Sequence, residues 1–277
     1  MDTVSQKTAV MPRIQVSEER MPFVLQVWSL MWRTLVTNFR VPAAVLPPII
    51  ISAFFLVIYQ SSLGGAAGFI PGLRGQSYLG FILPLSVVSA ALSGAGVAGQ
   101  SIVRDIDNGY FDKLSLTPVS RSALLLGPML AGAVILLLQT GVVIAMALLL
   151  GLAPETGLPG ILAVLGFALL LGVGFSGFTV GIALFTGNAA ATQGASFIFF
   201  PLSFLAPTFV PLALISGWLR TAAELTPITY ILGAMRTILN EGWVAEPIVQ
   251  GLIATSVLGL FLFAFAAAGL RARARRK

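Results

Sequence analysis

The chain contains neither cysteine nor histidine. Their absence removes disulfides, thiolate catalysis, histidine-ligated haem and the usual zinc sites. Charge is also scarce: 9% of the 277 residues are charged, against 57% hydrophobic. That balance excludes a soluble globular domain. No stretch reads G-x-x-x-x-G-K-[ST], so the chain has no phosphate-binding loop for ATP, and no polar segment is long enough for a nucleotide-binding domain. All ten acidic residues fall outside the long apolar runs. Asp2, Glu18 and Glu19 lie near the N-terminus, Asp105, Asp107 and Asp112 in the middle, and Glu155, Glu224, Glu241 and Glu246 between later runs. Carriers driven by proton or sodium gradients usually place ionisable groups at mid-membrane depth, so an ion-gradient-driven secondary transporter is disfavoured. No carboxylate pair or metal-ligand cluster lies in the runs either, so catalytic residues and a bound metal are not expected. A non-transporting membrane assembly scaffold stays open as an alternative.

What the chain has instead is six apolar runs, over residues 41–60, 78–103, 122–153, 158–185, 194–215 and 248–270. Each is near the roughly 20 residues that a helix needs to cross a bilayer. The expected fold is an all-α integral membrane protein of six transmembrane helices. Pro47 and Pro48 should kink or break the first span. Residues 61–77 read as an external loop, and 154–157 as a tight hairpin turn. The fifth run carries Pro201, Pro207 and Pro211 and should be irregular. Small residues recur on the second span (Ser93, Gly94, Gly96, Gly99) and the fourth (Gly172, Gly174, Gly177, Gly181). Such stripes permit close helix packing, within a chain or between copies, though on the second span they are equally consistent with flexibility.

Residues 1–20 are polar, mixed in charge and without a cleavable signal pattern, and read as a cytoplasmic tail. Residues 21–40 form a helix with Val24, Trp28, Met31, Leu35 and Phe39 on one face and Gln26, Ser29, Arg33, Thr37 and Arg40 on the other. Such a helix lies in the headgroup plane with its arginines toward anionic lipid, or else packs on another protein.

Residues 104–127, RDIDNGYFDKLSLTPVSRSALLLG, are a charged, turn-rich island between long apolar runs. Arg104, Asp105, Asp107, Asp112 and Lys113 cannot sit cheaply in hydrocarbon. Ile106, Tyr110 or Phe111, and Leu114 recur at helical spacing, which predicts one short amphipathic helix over 104–116. Gly109 is placed where a turn calls for positive φ. Thr117 and Pro118 read as an N-cap and first-turn proline starting the third span. The segment is either a rigid element that transmits force or an ordinary polar loop.

Residues 216–240 are too charged to cross, carrying Arg220, Glu224 and Arg236. Arg220 and Glu224 have i,i+4 spacing, and Thr226-Pro227 repeats the cap-and-proline pattern of a new helix ending near Asn240. Two short helices form an external re-entrant hairpin, as an exit gate or a passive linker. With both termini inside, cytoplasmic segments hold thirteen of the sixteen lysines and arginines, leaving Arg74, Arg220 and Arg236 outside. The net charge of +6 therefore speaks to topology and anionic lipid, with no nucleic acid implied.

The central order of acidic residues, glycine, aromatic and leucine, followed by Leu-Thr-Pro-Val-Ser-Arg and Leu-Leu-Leu-Gly, resembles the cytoplasmic signature of type-2 ABC exporter permeases, in particular the daunorubicin-resistance (Drr) branch. Residues 204–239, with Pro-Ile-Thr-Tyr and Ala-Met-Arg, resemble the same branch. Asp105 and Asp107 stand where glutamates are frequent, and Pro128 where a basic residue often follows Gly127. The resemblance implies an interfacial region and tail (1–40), a six-span domain (41–270) and a basic cytoplasmic tail (271–277). It implies a homodimer in the inner or plasma membrane, partnered by two copies of an ABC ATPase subunit. ATP and magnesium would bind that partner, with no cofactor in this chain, and the cargo would be an amphipathic drug, lipid or natural product moved out of the cell. Coupling to the ATPase falls to Arg104, Asp105, Asp107, Gly109, Phe111, Leu114, Thr117, Pro118 and Arg121. The exit gate falls to Trp218, Arg220, Glu224, Pro227, Tyr230 and Arg236.

Overall fold

The computed structural model describes residues 21–65, 77–198, 205–207 and 212–275, and every regular element among them is helical. The helices are α1 (Phe23–Phe39), α2 (Pro42–Leu63), α3 (Tyr78–Asp107), α4 (Tyr110–Ser115), α5 (Arg121–Leu149), α6 (Gly157–Thr186), α7 (Ala189–Phe197), α8 (Trp218–Leu225), α9 (Pro227–Asn240) and α10 (Ala245–Arg275). Four of them, α3, α5, α6 and α10, are long and apolar enough to cross a membrane. Residues 199–204 and 208–211 of the expected fifth span lie outside the described residues, as does most of the loop after α2; the described part of that span holds the end of α7 and one short helical turn at Leu212–Leu214. The first expected span is α2, which continues as one helix through Pro47 and Pro48, so of the expected kink or break the break is absent. Prolines are tolerated in apolar spans where neighbouring groups satisfy the freed carbonyls.

The core is a bundle of α3, α5 and α6, with α10 along α6 and α9 wedged against α10, α3 and α6. The glycine stripes are the contact lines of this bundle and act within the chain. A side chain on Gly94 would meet the Gly132 carbonyl of α5. Gly172 faces Ala133 and Leu136 of α5, while Gly174 and Gly177 face Gly259 and Leu262 of α10. Helix backbones approach this closely only where neither side presents bulk.

Two groups of elements close the ends of the bundle. At one, the C-terminus of α3, α4, the start of α5, α1 and the end of α10 converge. At the other, the α5–α6 turn meets the end of α9 through Glu155 N–H donating to the Leu239 carbonyl and Thr156 Oγ1 donating to the Ile238 carbonyl.

Helix α1 packs along α5, and the reason is local. A Cβ at Gly127 would stand 2.5 Å from the Leu30 Cβ and 3.3 Å from the Met31 backbone nitrogen. The glycine that closes Leu-Leu-Leu-Gly is therefore the notch in which α1 sits. Gly127→Val is expected to push α1 off α5 and to destabilise the protein by about 1–3 kcal/mol, the usual range for overpacking. Thermal unfolding in nanodiscs checks it, and an unchanged melting temperature would contradict the notch.

The face of α1 differs from expectation. Its buried residues are Gln26, Val27, Met31, Thr34, Leu35 and Asn38, whereas Val24, Trp28 and Phe39 are exposed. Polar Gln26 and Asn38 turn inward beside Met31 and Leu35 because each finds a partner there, and Val24, Trp28 and Phe39 turn outward. Arg33 points at α3 and not at lipid.

Candidate functional site

The island at residues 104–116 is not one helix. Helix α3 continues to Asp107, and the chain turns at Asn108 and Gly109 before α4 begins. Gly109 adopts φ +66, the left-handed conformation that a side chain disfavours, and its N–H bonds the Ile106 carbonyl. The turn stops the amphipathic helix after its first half and sets α4 at an angle to α3. Thr117 and Pro118 do not start the third span either. Thr117 Oγ1 bonds back to the Leu114 carbonyl at 2.6 Å, closing α4. The cap of α5 is Ser120, whose hydroxyl oxygen accepts from the Ala123 N–H at 3.2 Å. Ser120 has the extended geometry of an N-cap, with φ −67 and ψ 140, immediately before α5.

This corner is clamped from the side by α1. Arg33 forms a two-pronged ion pair with Asp105, Nη1 to Oδ2 at 2.8 Å and Nη2 to Oδ1 at 2.6 Å. The same guanidinium lies 3.8 Å from the centre of the Tyr110 ring, so one side chain ties α1 to both α3 and α4. Hydrogen bonding to Asp105 raises the Arg33 pKa above its ordinary value, against the lowering from partial burial. Beside it, Arg104 Nη2 donates to Asn38 Oδ1 at 2.8 Å and Ser101 Oγ at 3.1 Å. Gln26 Oε1 accepts from the Ser120 N–H at 2.9 Å, so α1 also holds the start of α5.

Of the residues expected to couple, Arg104 and Asp105 are therefore inward fasteners. Phe111 is buried under α4, beneath the Arg273 guanidinium of α10 at 5.7 Å from its ring centre. Leu114 is half-buried, whereas Asp107, Thr117, Pro118 and Arg121 are exposed. The most exposed apolar residue of this corner is Leu116, at 88%, standing beside Thr117 and Pro118. Sequence reasoning did not single it out. The signal was available, because a leucine beyond the last helical position of α4 has no face to pack on.

At the opposite end, α8 and α9 form the expected pair of short helices. Tyr230 hydroxyl donates to the Glu224 carbonyl at 2.9 Å, and Thr229 Oγ1 to the Ala223 carbonyl at 2.6 Å. Pro227 is the first residue of α9, and Thr226 precedes it as expected. The Thr226 hydroxyl, however, donates back to the Ala222 carbonyl of α8 and does not cap α9. Arg220 Nε meets Glu224 Oε1 at 2.9 Å on the surface, and Trp218 is 75% exposed.

Arg236 departs from the reading that made it an exposed external charge. It sits on the packed side of α9, with Nε donating to the Phe81 carbonyl at 2.9 Å and Nη1 to the Pro207 carbonyl at 2.6 Å. Its guanidinium covers the Phe81 ring at 3.6 Å. Backbone carbonyls and an aromatic face stabilise the half-buried charge, so this arginine fixes α9 to α3.

Residues 25–240, from the clamp helix to the end of α9, match the family described as ABC-2 type transporter. Two relatives from Mycobacterium tuberculosis, of strains CDC 1551 / Oshkosh and ATCC 25618 / H37Rv, are each named a probable doxorubicin resistance ABC transporter permease protein DrrC. Each is 25% identical to this chain over 257 residues, covering 90% of this chain and 92% of its own length. A putative transport permease, ycf38, of Cyanophora paradoxa is 23% identical over 221 residues, covering 79% of this chain and 76% of its own. The chain is a multi-pass membrane protein that belongs to the ABC-2 type transporter family, as a permease of the Drr-like branch.

Proposed function

We propose that two copies of this chain and two copies of an ABC ATPase subunit form an exporter that moves an amphipathic drug, lipid or natural product out of the cell. ATP and magnesium bind the ATPase, and this chain holds neither. The doxorubicin resistance named for the mycobacterial relatives supports a drug among the cargoes. The clamped end faces the cytoplasm, with the N- and C-terminal segments on that side. Arg33, Arg40, Arg104, Lys113, Arg121, Arg271, Arg273 and Arg275 support this, because positive charge is retained inside.

The observation that carries the reading is the corner of α3 and α4, fastened to α1 by Arg33 and offering Leu116 to solvent. A docking partner needs an apolar anchor, and force reaches the spans only if the anchor's base does not yield. Push on Leu116 and α4 moves; through Tyr110, Arg33 and Asp105, α1 and α3 move with it. At the other end α8 is the movable part of an exit gate, because α9 is fixed by Arg236 while Trp218, Arg220 and Glu224 are exposed.

Leu116→Asp, Asp107→Ala, Leu114→Ala and Gly109→Ala are each expected to leave the permease folded and to weaken cargo-stimulated ATP hydrolysis. Leu116→Asp should lower stimulation by about tenfold or more, the loss expected from a central interface anchor. The measurement is ATPase activity of the permease–ATPase complex in proteoliposomes with and without cargo. Wild-type stimulation in all four variants would reduce the corner to an ordinary loop.

A further inference from the structure

A cleft of about 260 Å³ opens beside the coupling corner, between α4, the start of α5 and the end of α10. Its walls include Phe111, Asp112, Arg121, Leu124, Leu270 and Arg273. Two guanidiniums thus stand against one carboxylate, over an apolar floor. The Nε of Arg273 is buried and has no hydrogen-bond partner among the described residues, and its guanidinium carbon lies 5.7 Å from the centre of the Phe111 ring. A buried donor nitrogen on a half-buried arginine favours a ligand that supplies an acceptor. Arg121 is also the first residue of α5, where the free N–H groups of a 29-residue helix add positive potential. Planar arginine forks joined to a helix start are matched to a tetrahedral oxyanion.

We infer that this cleft binds a phosphate group, carried by a membrane phospholipid or supplied as free phosphate in the same arginine fork. The surroundings favour the lipid. Helix α10 is the least buried of the four long helices, and its exposed Val257, Leu260 and Phe261 offer a surface for acyl chains. The stacked, exposed Trp28 and Trp32 of α1 mark headgroup depth at this same end of the bundle. A headgroup seated between α4 and α10 makes the inner leaflet part of the coupling corner. The inference rests on the reading that this end meets the cytoplasmic leaflet, and it does not depend on the ATPase or on transport.

The test is native mass spectrometry of the full chain in detergent, titrated with phosphatidylglycerol, with diacylglycerol, and with phosphatidylglycerol against inorganic phosphate. Wild type is expected to retain phosphatidylglycerol and to release diacylglycerol. Arg121→Gln with Arg273→Gln should weaken retention by about tenfold or more, the effect of losing at least one charge-assisted hydrogen bond. Ala274→Trp, which fills the cleft without removing charge, should do the same and stands in if the double variant misfolds. Arg275→Gln, an exposed arginine that does not line the cleft, should leave retention unchanged. Displacement by inorganic phosphate supports the site and assigns free phosphate as its occupant; no displacement supports the site and assigns the lipid. Equal retention in wild type and both cleft variants, or equal retention of diacylglycerol, overturns the inference.

Discussion

Asp105→Ala is expected to release α1 from the end of α3 and to uncouple the corner it braces. The substitution removes both prongs of the ion pair and leaves Arg33, whose side chain is 35% exposed, without its carboxylate. Partial exposure lets water reach the guanidinium, so the loss is discounted from the buried-pair range to about 1–3 kcal/mol. The Tyr110 contact does not replace the ion pair, because a cation over an aromatic ring at a half-exposed site contributes about 0.5–1 kcal/mol. Hydrogen exchange in nanodiscs should rise across α1 and α4 and stay unchanged in α9, and cargo-stimulated ATP hydrolysis should fall with it. The double exchange Arg33→Asp with Asp105→Arg restores opposite charges across the same gap and should recover part of both. Unchanged exchange in Asp105→Ala would show that α1 is held by Gly127 and its apolar contacts without the ion pair.

Arg236→Met is expected to be the more damaging change to stability. It preserves apolar bulk but strips donors from the Phe81 and Pro207 carbonyls at a partly buried position. Losing two hydrogen bonds from a charged donor, partly offset because the charge no longer needs to be accommodated, costs about 2–4 kcal/mol. Arg236→Lys should recover little, since an ammonium cannot spread over the Phe81 ring while reaching both carbonyls. Arg220→Gln, which breaks only the exposed pair with Glu224, should cost ~0.5 kcal/mol or less. Melting temperatures of the three variants in one nanodisc preparation decide this, and equal losses for Arg236→Met and Arg220→Gln would refute the buried role.

These contrasts locate what a reader of the sequence can and cannot see. The start of α5, both ends of α6, the break before Pro227 and the Arg220–Glu224 pair are local properties, and each was legible. So was Gly109, because a turn between acidic and aromatic residues restricts φ without any tertiary contact. The face of α1 was not legible from the rule that polar residues point outward. Gln26 and Asn38 lie inward because the Ser120 N–H and the Arg104 guanidinium, far away in the chain, meet them there. Arg236 was misplaced for the same reason: its counterparts are the carbonyls of Phe81 and Pro207, and a carbonyl leaves no mark in a sequence. Helix α3 runs past Val103 to Asp107 since Arg33 pairs with Asp105 and Asn38 and Ser101 hold Arg104, which allows charged residues to end a span.

The central claim is that this permease moves cargo only when a separate ATPase drives the corner of α3 and α4. The most direct measurement is cargo movement into sealed proteoliposomes holding the full chain, with and without its ABC ATPase partner, under ATP or under an imposed proton or sodium gradient. The account predicts movement that requires the partner, ATP and magnesium together, ceases with Leu116→Asp, and is absent when the chain alone experiences either gradient. Cargo transport by the chain alone under a gradient, unaffected by Leu116→Asp, would contradict it.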